Sequence, residues 1–296
     1  MNPATHQPAA ARDVPRKGVT AFLALSFGGT WLWLLVARAG LGLEPLNPLL
    51  QLPGFCMPGI AAIAVRRWVT REGFTDAGLR PRFRQAWRFY AVAWVGPPLV
   101  AGATLAMSAA VGLWHPDYSG PGGIPGPKEV GAVLALMLVA AVLTPLYAGE
   151  EFGWTGYLRP RLFAGRTAPS AVVTGLIWAV WHFPLAFIGY VDFSNVVVGL
   201  LVWALSFQLQ EIILLWLYQR SGSVWVPSLA HAGNNMVLFL ILGSALDKTG
   251  PGPVAPLLMA LAPLAAICAW IIGGGRLSRD RRVSEPTPAR SGEATG

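Results

Sequence analysis

Charge is scarce in this sequence. Only 12% of its 296 residues are Asp, Glu, Lys or Arg, whereas 54% are hydrophobic, and the mean hydropathy is +0.52. Soluble domains average about 25% charged residues, so a chain this poor in charge could not cover the surface of a soluble fold. The composition therefore excludes an ordinary soluble globular domain and indicates that lipid is the solvent.

Acidic residues and cysteines are also few. Fourteen acidic residues face 22 basic ones, which gives a net charge of +8. The basic residues form short clusters between long apolar runs, with no basic face interleaved with exposed aromatics, so we exclude nucleic acid as a partner. The two cysteines, Cys56 and Cys268, lie in apolar segments and predict no disulfide framework.

Long apolar runs, in contrast, are abundant, and a transmembrane helix needs about 20 mostly apolar residues. Eight runs fit this requirement: 19–38, 48–65, 87–113, 130–158, 168–190, 196–218, 224–244 and 253–273. The sequence therefore predicts an all-α membrane protein with about eight transmembrane helices in one domain, residues 19–275. We expect disordered cytoplasmic segments on either side of it, over 1–18 and 276–296.

Proline and glycine occur inside several of these runs. The segment 48–65 is short and contains Pro53 and Pro58, which makes it the weakest of the eight. The fourth run is long, and we expect it to bend near Gly149 or Gly153. Proline and glycine are tolerated in membrane helices when neighbouring helices satisfy the freed backbone groups.

The basic residues predict the orientation. With eight spans and a cytoplasmic N-terminus, only Arg38, Lys128 and Lys248 of the 22 Lys and Arg residues fall outside. Cytoplasmic loops of membrane proteins carry such an excess of positive charge. We therefore expect both termini in the cytoplasm. We also expect a multi-pass protein of the cell membrane, in a bacterial plasma membrane.

Ionisable side chains within membrane spans are costly, about 2.5–3.5 kcal/mol each, so their presence suggests a function. The spans of this chain contain a small set of them, with two amides nearby: Glu150, Glu151, His182, Glu211, His231, Asn234 and Asn235. Each has a structural alternative. The two adjacent glutamates could be solvated at the membrane interface, and a single histidine could be an interhelical hydrogen bonder.

Taken together, these residues fit two kinds of chemistry. A glutamate and a histidine can deprotonate a water for hydrolysis, while a second histidine and an asparagine can bind the oxyanion. Alternatively, Glu150, His182 and His231 could ligate zinc, although the HExxH spacing of common zinc proteases is absent. The sequence leaves the presence of a metal open. For Glu211 we favour a role in bracing the bundle over a place in the cavity.

The order of these residues resembles that of the CAAX protease and bacteriocin-processing family (CPBP, or Abi), which includes the CAAX prenyl endopeptidase. The family pattern is EExxxR, FxxxH and HxxxN on successive spans of an eight-helix core. Here the first motif starts at Glu150 and Glu151, the second ends at His182, and the third joins His231 to Asn235. The resemblance covers about residues 130–240.

The resemblance implies an intramembrane endopeptidase and a role for each residue. Glu150 would activate water with the help of His182, His231 and Asn235 would form the oxyanion site, and Glu151 would support them. The partner implied is a membrane-associated peptide or protein substrate, which the sequence does not name. The alternatives are a non-catalytic member, such as a bacteriocin-immunity protein, and a transporter, which the absence of a repeat disfavours.

Two residues depart from the family pattern. Thr155 stands in the place of the motif arginine, which puts the state of Glu151 and the activity in doubt, and Arg159 is expected to be too far along the helix to substitute directly. Trp178 stands in the place of the motif phenylalanine, an exchange of aromatics that we expect to be benign.

Overall fold

The computed structural model describes residues 9–116, 125–246 and 254–277. Over these ranges the chain is helical and contains no strand. Eight of its helices are long and apolar enough to cross a membrane. This confirms the predicted all-α membrane fold with eight spans, whereas the side of the membrane on which the termini lie stays a prediction.

The eight helices, with their non-α continuations, have the following bounds: α1 Ala9–Leu35 (π-helical at Val36–Gly40), α2 Pro48–Ala64 (π-helical at Val65–Val69), α3 Phe83–Ala110, α4 Pro127–Glu151 (π-helical at Phe152–Leu158, then one α-turn at Arg159–Arg161), α5 Thr167–His182 (3₁₀ at Phe183–Ala186), α6 Val196–Ser221, α7 Trp225–Gly233 (π-helical at Asn234–Phe239, then α-helical at Leu240–Leu246) and α8 Val254–Gly273. Helix α1 begins inside the segment 1–18. Residues 1–8, and the predicted disordered tail from residue 278 onward, lie outside the described residues.

Local sequence explains several helix ends. The Asn47 side chain accepts a hydrogen bond from the backbone N–H of Leu49, and Pro48 occupies the first position of α2, an arrangement that favours helix initiation. Asn195 caps α6 in the same way, by accepting from the N–H of Val198. Helix α6 ends at Gly222, whose φ of +64° is easily reached only without a side chain.

Helices α2 and α4 approach each other closely through small residues. A Cβ added to Gly59 would lie 2.9 Å from the Cα of Gly149, and one added to Gly153 would lie 2.6 Å from the Cβ of Pro58. Pro53 and Pro58 both stand inside α2 without ending it. The glycines that were expected to bend α4 thus form its contact with α2, and the departure from α-helical geometry begins between them, at Phe152.

The helices that carry the polar residues pack against one another or against neighbouring helices of the bundle. Helix α4 packs against α2 and α7, α5 packs against α6, and α7 also packs against α3. One side of α4 faces outward, since Leu134, Leu138 and Val142 repeat every four residues and are more than half exposed. Such a stripe is suited to lipid, while the opposite side of α4 is left to face the bundle.

The connection between α2 and α3 folds back onto the end of α4. The buried Arg66 guanidinium donates to both carboxylate oxygens of Asp76, at 2.8 and 3.1 Å. Burial by itself would raise the pKa of Asp76, but the hydrogen bonds and charge of Arg66 outweigh it and hold the pKa below its ordinary value. Arg161 donates to Glu72 at 2.6 Å. These ion pairs fix the end of α4 that follows the glutamate pair.

Candidate functional site

The two glutamates at the end of α4 have different partners. The Oε2 atom of Glu150 accepts a hydrogen bond from the indole Nε1 of Trp178 at 3.1 Å. The Oε1 atom of Glu151 lies 3.0 Å from the Nδ1 of His231. Adjacent residues of an α-helix point about 100° apart, which is why the pair divides between two helices. Glu150 is 3% exposed and Glu151 is 1% exposed, so neither is a solvated interfacial carboxylate.

Trp178 connects the three predicted motifs. Besides its hydrogen bond to Glu150, its ring lies 5.7 Å from the His182 ring and 5.1 Å from the His231 ring, centroid to centroid. The two histidines lie at different depths along their helices: His182 is about 22 Å of helical rise from the start of α5, and His231 is about 9 Å from the start of α7. Trp178 contacts both because it lies one turn before His182, on the side of α5 nearer its start, and its ring extends towards His231. The tryptophan also supplies an N–H that the family's phenylalanine lacks.

His182 is held in one orientation. Its Nδ1 lies 2.9 Å from the backbone carbonyl oxygen of Trp178. A carbonyl oxygen can only accept, so the hydrogen of the neutral ring is on Nδ1 and the lone pair is on Nε2. The ring stacks on Phe207 at 4.4 Å and meets the edge of Trp181 at 4.7 Å. The free Nε2 is therefore a fixed proton acceptor.

His231 is held by a carboxylate instead of a carbonyl. Its contact with Glu151 places an N–H on Nδ1, and its ring lies 4.7 Å from the ring of Tyr147. A carboxylate partner stabilises positive charge on an imidazole. When His231 carries that charge, its Nε2 is a hydrogen-bond donor, which is the form that an oxyanion requires.

Asn235 joins the site through Tyr147, a residue that sequence reasoning missed. The amide Nδ2 of Asn235 donates to the Tyr147 hydroxyl at 3.2 Å. The neighbouring Asn234 turns to α6 and donates to the Oε1 of Gln210 at 3.0 Å. Tyr147 precedes Glu151 by one helical turn, so its spacing from the glutamate pair was the available signal.

Glu211 lies away from this cluster, in a buried ion pair. Its Oε1 accepts from the Nη1 of Arg159 at 3.1 Å, and both side chains are 2% exposed. The pair joins α6 to the end of α4, in agreement with the bracing role that the sequence favoured. The same Nη1 lies 3.3 Å from the Thr155 hydroxyl, which in turn donates to Oε2 of Glu151 at 2.7 Å. Arg159 thus reaches Glu151 indirectly, through Thr155.

The charge of Glu150 extends to the connection between α5 and α6. Burial, and to a smaller extent the Glu150 carboxylate, raise the pKa of the Tyr190 phenol above its ordinary value. Tyr190 is 38% exposed. The connection is therefore near enough for the glutamate charge to act on this phenol, and the Tyr190 side chain is exposed at the surface of the protein.

The suggested zinc ligands do not form a ligand set. Among the described residues, no group of three or more His, Cys, Asp and Glu side chains is arranged to hold a metal ion. The Nδ1 atoms of His182 and His231 are engaged by a carbonyl and by Glu151, which leaves each Nε2 free, but these atoms and Glu150 are not placed to share one metal ion. The geometry thus brings Glu150, His182 and His231 together around Trp178 without the convergence that zinc requires.

Comparison with known families agrees with this arrangement. Residues 130–237 match the family model described as type II CAAX prenyl endopeptidase, Rce1-like. The matched segment runs from α4 to the π-helical part of α7 and contains both glutamates, both histidines and Asn235. It nearly coincides with the segment 130–240 in which the sequence resembles the CPBP family, and this confirms the resemblance. No curated protein matches the chain.

Proposed function

We propose, from the match of residues 130–237 to the model of the type II CAAX prenyl endopeptidase family, that this protein is an intramembrane endopeptidase in which Glu150 activates the attacking water. The observation that carries the proposal is the contact of Trp178 with Glu150, His182 and His231 at once. Four groups from three helices, all buried, thereby meet at one point within the membrane domain. Buried ionisable groups in a membrane are retained where they have a function.

The reaction is hydrolysis of an amide bond. Glu150 accepts a proton from water, assisted by Nε2 of His182, and the hydroxide oxygen bonds to the carbonyl carbon of the substrate. The carbonyl π-electrons move to oxygen and form an oxyanion. The oxyanion then re-forms the carbonyl as the C–N bond breaks, the accepted proton passes to the leaving nitrogen, and a carboxylic acid and an amine are released. No step is routed through a metal, because the residues present do not form a set of metal ligands.

The oxyanion needs hydrogen-bond donors that are already in place. His231 provides Nε2–H when Glu151 stabilises its charged form, and Asn235 provides an amide N–H. The Tyr147 hydroxyl accepts from Asn235 and so has its own hydrogen free to donate. Fixed donors of this kind are among the largest contributions to acyl-transfer catalysis. We assign Tyr147 to the oxyanion site together with His231 and Asn235.

The substrate class follows from the location of the site. The site is built from three of eight apolar spans, so the substrate is a membrane-associated peptide or protein that reaches the site from the bilayer or its surface. We propose that the protein lies in the cell membrane of a bacterium, and its charge distribution supports a cytoplasmic location of both termini.

Proteolysis by the purified protein in liposomes tests the proposal. Two fluorogenic probes are needed, a farnesylated CAAX peptide and an unprenylated transmembrane peptide, because the family name does not fix the substrate of this chain. We expect cleavage of at least one probe by the wild type, and its loss in Glu150→Gln and His182→Ala. Glu129→Gln, which changes a carboxylate in the first turn of α4, is the matched control.

Full activity in Glu150→Gln would contradict the mechanism. Cleavage of neither probe by a folded wild-type protein would favour the non-catalytic alternative.

A further inference from the structure

Five side chains form an unbroken series of contacts from α6 to the candidate oxyanion site. The contacts run from Glu211 to Arg159 (3.1 Å), from Arg159 to Thr155 (3.3 Å), from Thr155 to Glu151 (2.7 Å) and from Glu151 to His231 (3.0 Å). Each distance joins a donor to an acceptor within hydrogen-bonding range. We call this series the relay.

The relay is sealed from solvent. Thr155 is 0% exposed, and the other four residues are at most 2% exposed. Water therefore cannot take the place of a missing member, and the orientation of each group depends on its neighbours. The hydrogen bonds of such a buried network hold its members in place, and only the Nη2 atom of Arg159 among the relay atoms is buried without a hydrogen-bond partner in the described part of the chain.

The direction of the hydrogen bonds is determined by Thr155. A hydroxyl has one hydrogen to donate, and Glu151 is acceptor-only, so that hydrogen goes to the carboxylate. The hydroxyl oxygen is then left to accept from the guanidinium of Arg159. The donation thus runs from Arg159 through Thr155 to Glu151. The other end of Glu151 accepts the Nδ1 hydrogen of His231.

Helical spacing makes the relay possible. Residues 151, 155 and 159 are four apart, and side chains with this spacing lie on one side of a helix. Arg161 is only two residues further, and it donates instead to Glu72 and to the backbone oxygen of Tyr157. Of two arginines in the same turn, one therefore faces the site and the other faces the connection between α2 and α3.

We propose that Arg159, held by Glu211, and Thr155 are positioning residues, which fix the Glu151 carboxylate and through it the ring of His231. The guanidinium acts on Glu151 through the hydroxyl of Thr155 rather than by direct contact. This inference rests on the proposed function, because the oxyanion role of His231 is part of it. The relay explains how a chain with threonine in place of the motif arginine still couples a positive charge, the Arg159 guanidinium, to Glu151.

Isosteric variants test the relay by activity. Thr155→Val keeps the shape and removes the hydroxyl, Thr155→Ser keeps the hydroxyl, and Arg159→Gln/Glu211→Gln removes both charges without leaving one unpaired. Removing a side chain that orients a reacting group typically costs about 10–100-fold in activity. We expect this loss in kcat, at nearly unchanged KM, for Thr155→Val and for the double variant. Thr155→Ser and the control Arg161→Gln should retain wild-type kcat.

A second readout does not depend on proteolysis. The chain has four histidines, so nitrogen-15 labelling of histidine gives a simple NMR spectrum in micelles. The resonance of His231 is identified by its loss in His231→Ala. We expect Thr155→Val to shift the Nδ1–H signal of His231, and Arg161→Gln to leave it in place. This result supports the relay even if no substrate is cleaved, which separates it from the proposed function.

Two results would overturn the relay. One is a wild-type kcat in both Thr155→Val and the double variant. The other is an unmoved His231 signal in Thr155→Val protein that melts at the wild-type temperature.

Discussion

Tyr147→Phe is the variant that most sharply separates chemistry from structure. It removes one oxygen atom from the candidate site and leaves the ring that lies 4.7 Å from His231. Two consequences follow from the structure. The amide Nδ2 of Asn235 loses its acceptor at 3.2 Å, and the oxyanion loses the hydroxyl hydrogen that is otherwise free to donate.

The two consequences differ in size. Loss of a neutral hydrogen bond costs about 0.5–1.5 kcal/mol, which is roughly a tenfold effect or less. Removal of a donor to an oxyanion costs about 10²–10³-fold in kcat. We therefore expect Tyr147→Phe to reduce kcat about 100-fold, with KM within about twofold of the wild type, because the donor acts mainly in the transition state.

The assay is steady-state cleavage of whichever probe the wild type cleaves, in liposomes. Tyr90→Phe is the control, since it removes another tyrosine hydroxyl, one that donates to the backbone oxygen of Pro81. A kcat within tenfold of the wild type would mean that Tyr147 only holds Asn235. Such a value would refute its assignment to the oxyanion site.

Three further predictions concern other parts of the molecule. Trp178→Phe should lower kcat/KM about 10–100-fold, because it removes a hydrogen bond to the Glu150 carboxylate while keeping an aromatic ring, and bonds to charged groups contribute about 1.5–3 kcal/mol; unchanged kcat/KM would contradict this. Asp76→Asn should lower the thermal midpoint at neutral pH, because Arg66 holds the pKa of Asp76 below its ordinary value. That stabilisation is complete above the unfolded value of about 3.9 and is lost as the pH falls through the lower folded pKa, so midpoints of the two proteins should converge in acid; a constant difference down to about pH 3 would contradict the ion pair. Proteolysis should continue after treatment with a metal chelator, because Glu150, His182 and His231 do not form a ligand set; loss of activity that zinc restores would contradict this.

The fold could be predicted from sequence because lipid imposes simple requirements. Apolar length and the clustering of arginine predicted eight spans, and the described residues contain eight helices long and apolar enough to cross a membrane. The helix ends were less predictable. Helix α4 extends as a π-helix and a further turn to Arg161, three residues beyond the predicted end at 158, because ion pairs on Arg159 and Arg161 hold it in place. Spacing rules for an α-helix do not contain such tertiary contacts.

The candidate site could be predicted only where a residue type is unusual for its position in the sequence. A glutamate or histidine within a span is conspicuous, so Glu150, His182 and His231 could be named from sequence. Tyr147 was missed, because its spacing of one turn from Glu151 is a weak signal until its hydroxyl is seen beside Asn235. Trp178 looked like a neutral exchange for phenylalanine, whereas its N–H binds the glutamate. Arg159 looked too distant because the path through Thr155 depends on side-chain orientation.

The central claim is that Glu150 activates a water molecule for peptide-bond hydrolysis. Mass spectrometry of products formed in ¹⁸O-labelled water, by wild type and by Glu150→Gln, tests it most directly. The wild type should place one labelled oxygen in the new carboxylate of each product, and Glu150→Gln should give no labelled product above background. Labelled product from Glu150→Gln at the wild-type rate would contradict the claim.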